Sequence, residues 1–248
     1  MKKTLLWLGT LALLLSACGT NADAPPSASA PPSSAVEEDS VIDETPPSAE
    51  ETEAPAPEEA ETNEPADTDF VRVQDYLPDV AVDLKYAAQD NFTGQVIYSF
   101  TDAYLRYGTV KKLEAVYDEL SADGYSLKIW DAFRPTWAQF KLWDVCPDPA
   151  YVSNPTKGFS SHSRGNTVDL TLIAADGTDV EMPTGFDDFT ARADRDYSDV
   201  TETAAANARY LEDVMQRNGF KPYSQEWWHY SDTDSYEVEQ TFSPPEGH

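Results

Sequence analysis

The sequence predicts an α+β fold, in which a single domain has a central antiparallel sheet flanked by helices. Residues 70–248 are about the length of one domain, and they contain every Trp except Trp7 and most of the Tyr and Phe. Three segments are typical of helices and several short ones are typical of strands. Because these elements follow one another in no βαβ series, an antiparallel sheet is favoured over a parallel one.

The first part of this domain begins with an extended piece at residues 83–86, followed by a turn-rich loop at residues 91–94. Between residues 110 and 120 the apolar side chains fall on one face, which predicts an amphipathic helix. Thr109 is placed to cap the start of this helix, and Gly124 is placed to end it.

The next elements surround Arg134. Residues 125–130 alternate between outward and inward positions and predict a strand. Pro135 can open a helix, because its fixed φ suits the first helical position. Arg134 therefore lies where a strand ends and a helix begins. We expect the aromatic residues of that helix to pack in the core, namely Trp137, Phe140 and Trp143.

The last elements follow a predicted loop at residues 148–158. Residues 167–172 predict a buried strand, and residues 226–230 predict the final strand. Between them, residues 202–218 predict a helix that Gly219 ends. Its inward face is expected to hold Leu211, Val214 and Met215.

The chain opens with features of an export signal. Two lysines, an apolar run at residues 5–15 and small residues before Cys18 are typical of a secretory signal at residues 1–17. The apolar run is too short to span a membrane comfortably. Residues 15–18 also resemble the bacterial lipobox, in which the cysteine is lipid-modified and begins the mature protein. An ordinary signal peptide with a chance cysteine is the alternative.

Residues 18–69 differ in composition from the rest of the chain, being rich in Pro, Ala, Ser, Thr and Glu without any Lys or Arg. Such a segment buries too little apolar surface to offset its ordering entropy, so we expect a disordered tether. We therefore expect an extracytoplasmic domain held to the bacterial membrane by a lipid on Cys18. Much of the net charge of −28 lies in the tether, and its sign argues against nucleic acid as a partner.

Only three histidines occur in the chain, and His248 is its last residue, which we expect to be disordered. The other two, His162 and His229, together with Asp169 make a three-ligand set for a catalytic divalent metal, with a fourth position left for water. No third histidine is available to activate Cys146, so we interpret this cysteine as a packed residue rather than a nucleophile.

The spacing of these residues constrains the site. His162 and Asp169 are seven residues apart and would point to opposite faces of an unbroken strand. They can share a metal only if the chain bends between them, and Gly165 is placed to allow that bend. Glu226 and His229 are three residues apart, so they would also point to opposite faces of an unbroken strand. We therefore expect Glu226 at the entrance of the last strand rather than within it.

Two motifs carry a family resemblance. The pattern Ser-x-His-x-x-Gly-x-x-x-Asp occurs at residues 160–169, and Glu-Trp-Trp-His occurs at residues 226–229. In this order they resemble the zinc D-alanyl-D-alanine dipeptidases, which include the vancomycin-resistance dipeptidase and its housekeeping relatives. The resemblance covers nearly the whole domain and implies the fold of the D,D-peptidases and hedgehog-like domains. The further matching stretches are residues 83–86, 90–94, 130–135, 169–172 and 185–187.

The resemblance implies one zinc ion per chain, bound by His162, Asp169 and His229. It implies that Glu226 is the general base, which takes a proton from the attacking water and later passes it to the leaving amine. It also implies that Arg134 stabilises the tetrahedral oxyanion.

The resemblance further implies that Asp187 and Ser160 hold the free ammonium group of a dipeptide. A buried anion at that point would select free dipeptides over internal peptide bonds. Asp188 lies beside Asp187, and either of them can instead cap a loop. Residues 190–194 depart from the family pattern, because they lack the Glu-Arg-Ser-His that is common in relatives.

The leading hypothesis is zinc-dependent hydrolysis of D-Ala-D-Ala. A D,D-carboxypeptidase that trims peptidoglycan stem peptides would use the same metal set. The Glu-Trp-Trp-His motif favours the dipeptidase, whereas the export signal favours the carboxypeptidase, because stem peptides lie outside the cell membrane. A third alternative is a cell-wall-binding lipoprotein that has lost the reaction, which the presence of both Glu226 and Arg134 disfavours.

Overall fold

The computed structural model describes residues 64–247. The predicted signal peptide, the lipidation site at Cys18, the tether up to residue 63 and His248 lie outside the described residues. Among the helices of residues 64–247, none has the length and apolar character needed to cross a membrane.

The described part of the chain contains three helices and seven strands. The helices are α1 (Tyr107–Ala122), α2 (Thr136–Val145) and α3 (Glu202–Arg217). The strands are β1 (Phe70–Arg72), β2 (Ala81–Val82), β3 (Tyr104–Arg106), β4 (Tyr125–Asp131), β5 (Thr167–Ala174), β6 (Phe220–Tyr223) and β7 (Glu226–Asp232). Short 3-10 turns occur at Val73–Asp75, Lys85–Ala87, Ser161–Arg164 and Ala191–Ala193.

Five of the strands form the central sheet in the order β2-β4-β5-β7-β6. Its neighbours are antiparallel except at one edge, where the two-residue β2 runs parallel to β4. The remaining strands, β1 and β3, pair with each other antiparallel as a separate ribbon. The predicted α+β class is confirmed, and the sheet is antiparallel apart from this one pair.

The core lies between the sheet and two of the helices, with α1 against β4 and α3 against β6 and β7. The inward face of α3 is confirmed, because Leu211, Val214 and Met215 are fully buried. The middle strand β5 is buried over nearly its whole length. A strand covered in this way holds its polar side chains in a low-dielectric environment, where any charge needs a partner.

The start of the first helix differs from the prediction. α1 begins at Tyr107, and Thr109 lies inside it, where its hydroxyl donates to Asp232 at 2.7 Å. Backbone carbonyls replace a side-chain cap, because the N–H groups of Tyr107 and Gly108 donate to the carbonyls of Asp69 and Asp67 at 2.8 and 3.1 Å. Residues 64–69, which the sequence assigned to the tether, thus include residues that bond to the domain.

The expectation of an extended piece at residues 83–86 was wrong at its second half. Lys85–Ala87 form a 3-10 turn, and Tyr86 is buried within it. The turn is held because the backbone N–H groups of both Ile97 and Tyr98 donate to the carbonyl of Tyr86 at 2.8 Å.

The prediction that the aromatic residues of α2 pack in the core was wrong for two of the three. Trp137 and Phe140 are 38% and 45% exposed. The face that α2 buries against the domain is made instead by Ala138, Gln139 and Leu142. Each of the two exposed rings packs edge-on against another aromatic ring, Trp137 against Phe100 and Phe140 against Phe159.

The bend expected at Gly165 is present. Gly165 ends the Ser161–Arg164 turn with a φ of +76°, and a Cβ at this position would lie 2.3 Å from Cε1 of Phe70. His162 therefore lies in a turn that precedes β5 rather than on the strand itself. This arrangement removes the parity conflict between His162 and Asp169.

We expect Gly165→Ala to lower the free energy of unfolding by about 2 kcal/mol or more, because a left-handed penalty of about 1 kcal/mol adds to an overlap worth about 1–3 kcal/mol. Gly94→Ala is the matched control, since Gly94 has a φ of +65° with open space around it. This variant should lose only the stability that corresponds to the left-handed penalty of about 1 kcal/mol. Equilibrium urea unfolding measures both variants. Equal losses in the two would contradict the role of the contact with Phe70.

Candidate metal centre and catalytic cavity

Three adjacent strands place charged and histidine side chains in one row. Asp131 on β4 pairs with Asp169 on β5, and Asp169 pairs with His229 on β7. Paired residues on neighbouring antiparallel strands point to the same face of the sheet. A register shift after Ile129 allows this row, because one extra residue in β4 brings Asp131 opposite Asp169.

His162 reaches this row from the turn before β5. Its backbone is held on both sides, since its N–H donates to Ser160 Oγ at 3.4 Å and its carbonyl accepts from the N–H of Arg134 at 3.3 Å. His162 Nδ1 lies 2.8 Å from the carbonyl oxygen of Ala132. Because a carbonyl only accepts, Nδ1 carries a proton, and Nε2, which faces Asp169, is the nitrogen left to bind a metal.

The structure brings together the three predicted ligands. Donor atoms of His162, Asp169 and His229 lie within 4.8 Å of one another. His162 Nε2 is 3.2 Å from Asp169 Oδ2, and His229 Nδ1 is 2.9 Å from Asp169 Oδ1. The second nitrogen of His229, Nε2, lies 3.4 Å from Ser161 Oγ.

The same atoms provide a test of whether a metal fits. Asp169 Oδ1 is buried and has no hydrogen-bond partner among the described residues, because its 2.9 Å contact with His229 does not have hydrogen-bond geometry. A buried carboxylate oxygen without a partner is costly. A cation held between this oxygen and the two imidazoles would satisfy all three donors. Two imidazoles and one carboxylate are a donor set that suits catalytic zinc.

The charges in this group support the presence of an ionised carboxylate. Burial opposes ionisation of Asp169, but the imidazoles of His162 and His229 hold its pKa below the usual value. Burial likewise opposes the charged form of His162, but the neighbouring Asp169 and Asp131 raise its pKa in the metal-free protein. Asp169 is therefore available as an anionic ligand at neutral pH.

Glu226 is the first residue of β7, as expected for a residue at the entrance of the strand. Its Oε2 lies 3.4 Å from His229 Nδ1, and 28% of its side chain is exposed. Burial raises the pKa of Glu226, and the charge of Asp169 raises it further. A carboxylate next to the metal ligands with a raised pKa is suited to accept and return a proton near neutral pH.

The guanidinium of Arg134 is held by the side chains of Asp131 and Gln139. Nε and Nη2 donate to Asp131 Oδ2 at 3.2 and 2.6 Å, and Nη1 donates to Gln139 Oε1 at 3.3 Å. Asp131 also accepts from the hydroxyl of Tyr98 at 2.7 Å, and the ring of Tyr86 lies 5.0 Å from Arg134 Cζ. Each terminal nitrogen keeps a second N–H that can be offered to a substrate oxygen.

The partners that hold Arg134 were not assigned by sequence analysis. Asp131 stands within the 130–135 motif, and its position three residues before a candidate catalytic arginine was a signal that could have identified it. Tyr98 and Gln139 carry no such signal. Gln139 reaches Arg134 from the helix that directly follows it, and Tyr98 reaches both Arg134 and Asp131 from a distant loop.

One cavity, of about 580 Å³, is lined by the metal-binding group, by Glu226 and Arg134, and by Ser160 and Asp187. Asp187 Oδ2 accepts from the hydroxyl of Tyr86 at 2.7 Å, and its backbone has a φ of +53°. Ser160 also accepts the N–H of His162, which gives it a structural contact in addition to its place on the cavity wall. All the predicted site residues of the domain thus meet in the same cavity.

Other residues singled out by the sequence belong to the structure of the domain. Cys146 is partly buried against the core, as expected for a packed residue. Arg164 donates to the carbonyl of Tyr236 at 2.6 Å. Trp227 and Trp228 are buried, and Trp227 Nε1 donates to Thr184 at 2.9 Å. They support β7 from the core and do not line the cavity.

The raised pKa of Asp187 can be tested by measuring how the free energy of unfolding changes with pH. Burial raises the pKa of Asp187 to about 7, well above its unfolded value of about 4. The folded state therefore binds the proton more tightly, and the contribution of Asp187 to stability falls as pH rises from about 4 to about 7. We expect the stability of Asp187→Asn relative to the wild-type protein, both without metal, to increase over this window.

Asp188→Asn is the control for this measurement. A hydrogen bond from Thr190 lowers the pKa of Asp188, so its charged form stabilises the fold and its replacement should cost stability at pH 8. Urea unfolding at pH 4 and at pH 8 measures both variants. A difference between Asp187→Asn and the wild-type protein that is the same at both pH values would contradict the raised pKa.

The family model described as D-ala-D-ala dipeptidase matches residues 66–245. The D-alanyl-D-alanine dipeptidase of Escherichia coli (strain K12) is 38% identical over 163 residues, which cover 66% of this chain and 84% of that protein. The D-alanyl-D-alanine dipeptidase of Enterococcus faecium is 33% identical over 181 residues, which cover 65% and 90%.

Among solved structures, VanYB in complex with D-Alanine-D-Alanine matches with a TM-score of 0.36 and 19% identity, covering 53% of this chain and 73% of that chain. That likeness is too distant to support an argument about the site. The family match covers most of the folded domain, and the relatives are matched over most of their own length. The resemblance inferred from the two motifs is confirmed, and this chain belongs to the D-ala-D-ala dipeptidase family.

Proposed function

We propose that this chain hydrolyses the free dipeptide D-Ala-D-Ala in a zinc-dependent reaction. The observation that carries the proposal is the single cavity in which the His162–Asp169–His229 group, Glu226 and Arg134 meet. Membership of the family and the name D-alanyl-D-alanine dipeptidase borne by its relatives support the choice of substrate.

His162, Asp169 and His229 would hold the zinc ion. When bound there, zinc supplies a Lewis acid that makes water nucleophilic at neutral pH. The chain prepares this site in advance, because the bond from His162 Nδ1 to Ala132 orients the imidazole and leaves Nε2 as the ligand.

Glu226 is the proton carrier of the proposed mechanism. It accepts a proton from the water that attacks the peptide carbonyl, and it returns that proton to the nitrogen of the leaving D-Ala. Its raised pKa, caused mainly by burial, makes the carboxylate a stronger base for the first of these transfers.

Arg134 stabilises the negative charge that develops on the carbonyl oxygen. Asp131 and Gln139 fix its guanidinium before substrate binds, so little reorganisation is needed as that charge forms. A donor fixed in this way is typically worth about 10²–10³ in rate.

Asp187 and Ser160 bind the ammonium group of the dipeptide. Both line the cavity, and ionised Asp187 supplies the negative charge that an ammonium group requires. Because burial raises the pKa of Asp187 to about 7, a bound ammonium group also favours this ionised form. The hydrogen bond from Tyr86 fixes the Asp187 carboxylate. An ion pair at this point selects a free amino terminus over an internal peptide bond.

The test compares two substrates with the zinc-loaded full-length chain. We expect rapid release of alanine from D-Ala-D-Ala and slow release from a peptidoglycan pentapeptide ending in D-Ala-D-Ala. Release only from the pentapeptide would overturn the dipeptidase and favour a D,D-carboxypeptidase, the function to which the export signal points. Zinc binding without release from either peptide would favour a wall-binding protein.

We propose further that the chain is an extracytoplasmic lipoprotein, held to the bacterial membrane by a lipid on Cys18. The signal-like residues 1–17 and the lipobox-like residues 15–18 support this location. Replacement of Cys18 by serine should release the protein from the membrane fraction of its host and abolish incorporation of labelled fatty acid. Retention of both properties would refute the anchor.

A further inference from the structure

Three aromatic residues from three different loops pack together beside the catalytic cavity, and two of them line it. They are Phe92, Tyr151 and Phe189, and we call them the aromatic cluster. The ring of Phe189 lies 5.2 Å from that of Phe92 at an angle of 90°, and 4.8 Å from that of Tyr151 at 61°. These near-perpendicular contacts are a favoured geometry for aromatic pairs. The cluster therefore joins three loops that have no strand or helix in common.

The aromatic cluster lies at the end of the cavity marked by Asp187. Phe189 follows Asp187 by two residues on the same loop. Phe92 packs edge-on against Tyr86 with a centroid distance of 6.4 Å, and the hydroxyl of Tyr86 holds Asp187. Tyr151 and Phe189 both line the cavity. The rings thus stand next to the carboxylate that receives the substrate's amino end.

Two rings of the cluster are partly open to solvent. Tyr151 is 49% exposed and Phe189 is 40% exposed, although each covers part of its surface with the other. Core packing does not require rings at such exposed positions. Their exposure is compatible with a position in the cavity wall, where a ring presents one side to the cavity and the other to solvent.

We propose that the aromatic cluster sets the length of peptide that the cavity accepts, which is an inference that rests on the proposed dipeptidase function. A free dipeptide ends at Asp187 with its ammonium group. A peptide with one more residue at its amino end must put a neutral amide at Asp187, and its additional residue must find space beside the rings of Tyr151 and Phe189, which Phe92 holds in place from outside the cavity. The cluster therefore excludes stem peptides by shape, in addition to the charge selection made by Asp187.

The test uses the full-length zinc-loaded chain with D-Ala-D-Ala and the tripeptide L-Lys-D-Ala-D-Ala as substrates. The double variant Tyr151→Ala/Phe189→Ala should raise the ratio of kcat/KM for tripeptide over dipeptide by about tenfold or more, mainly through a lower KM for the tripeptide. Phe189→Leu keeps an apolar side chain but removes the ring, and it should shift the ratio in the same direction. This second variant covers the case in which the double variant does not fold.

Trp137→Ala is the matched control. Trp137 is an aromatic residue of similar exposure, 38%, and it packs against Phe100 outside the cavity. It should leave the ratio unchanged.

The outcomes separate this inference from the function on which it rests. A wild-type chain that cleaves the tripeptide as well as the dipeptide, or a folded cluster variant with an unchanged ratio, would refute the inference and leave the dipeptidase intact. Failure of the wild-type chain to cleave D-Ala-D-Ala would refute both.

Discussion

Replacing Glu226 by glutamine should lower kcat for D-Ala-D-Ala by about 10²–10⁴, while the zinc content stays near one ion per chain. Glutamine has nearly the same size and can still form hydrogen bonds, but it cannot accept and return a proton. In the wild-type chain, Glu226 Oε2 lies 3.4 Å from His229 Nδ1. Glu226 is therefore beside the metal group but is not one of the three predicted ligands. The loss should therefore fall on turnover and not on metal binding.

Steady-state kinetics together with metal analysis of the purified protein measures both properties. Glu237→Gln is the matched control, because Glu237 is an exposed residue that does not line the cavity, and it should leave kcat unchanged. If Glu226→Gln turned over at close to the wild-type rate, the assignment of the general base would be wrong.

Replacing His162 by alanine should weaken zinc binding by more than about 10²-fold, which is the upper end of the loss seen when a group that only orients a ligand is removed. A catalytic zinc site normally has three protein ligands, and this change would leave Asp169 and His229 alone. Turnover should disappear with the metal.

Zinc affinity is measured by competition with a chromophoric chelator, and circular dichroism verifies that the variant is folded. His248→Ala is the matched control, because it removes the one histidine that we do not place in the metal group. A folded His162→Ala protein that binds zinc as tightly as the wild-type chain would remove His162 from the ligand set.

Local geometry brings His162 and Asp169 to one site, whereas His229 joins them through the pairing of β5 with β7. Gly165 adopts a left-handed conformation and ends the Ser161–Arg164 turn, which contains His162. The position of Glu226 at the start of β7 also followed from strand parity alone. Predictions of this kind depend on residues within about one turn or one strand, where the chain has few alternatives.

The errors fell where distant parts of the chain meet. The start of α1 was misplaced because backbone carbonyls of Asp67 and Asp69, about 40 residues away, cap that helix. The aromatic residues of α2 were expected inside because they are large and apolar. Which face of α2 is buried depends on its orientation against the domain, and the residues that pack there are Ala138, Gln139 and Leu142.

The sequence by itself determined the class of fold, the family and the residues that can bind zinc. The periodicity of apolar residues predicts the fold class, and short motifs indicate the family and the metal-binding residues. Only the tertiary structure decided how the site is supported. The register shift in β4 brings Asp131 opposite Asp169. Tyr98 then donates a hydrogen bond to Asp131, and Gln139 accepts one from Arg134, so that the guanidinium is fixed. The pairing of Asp131 with Asp169 and the bond from Tyr98 join residues far apart in the chain, whereas Gln139 lies five residues after Arg134. Their common geometry exists only once the sheet has formed and the neighbouring elements have packed against it.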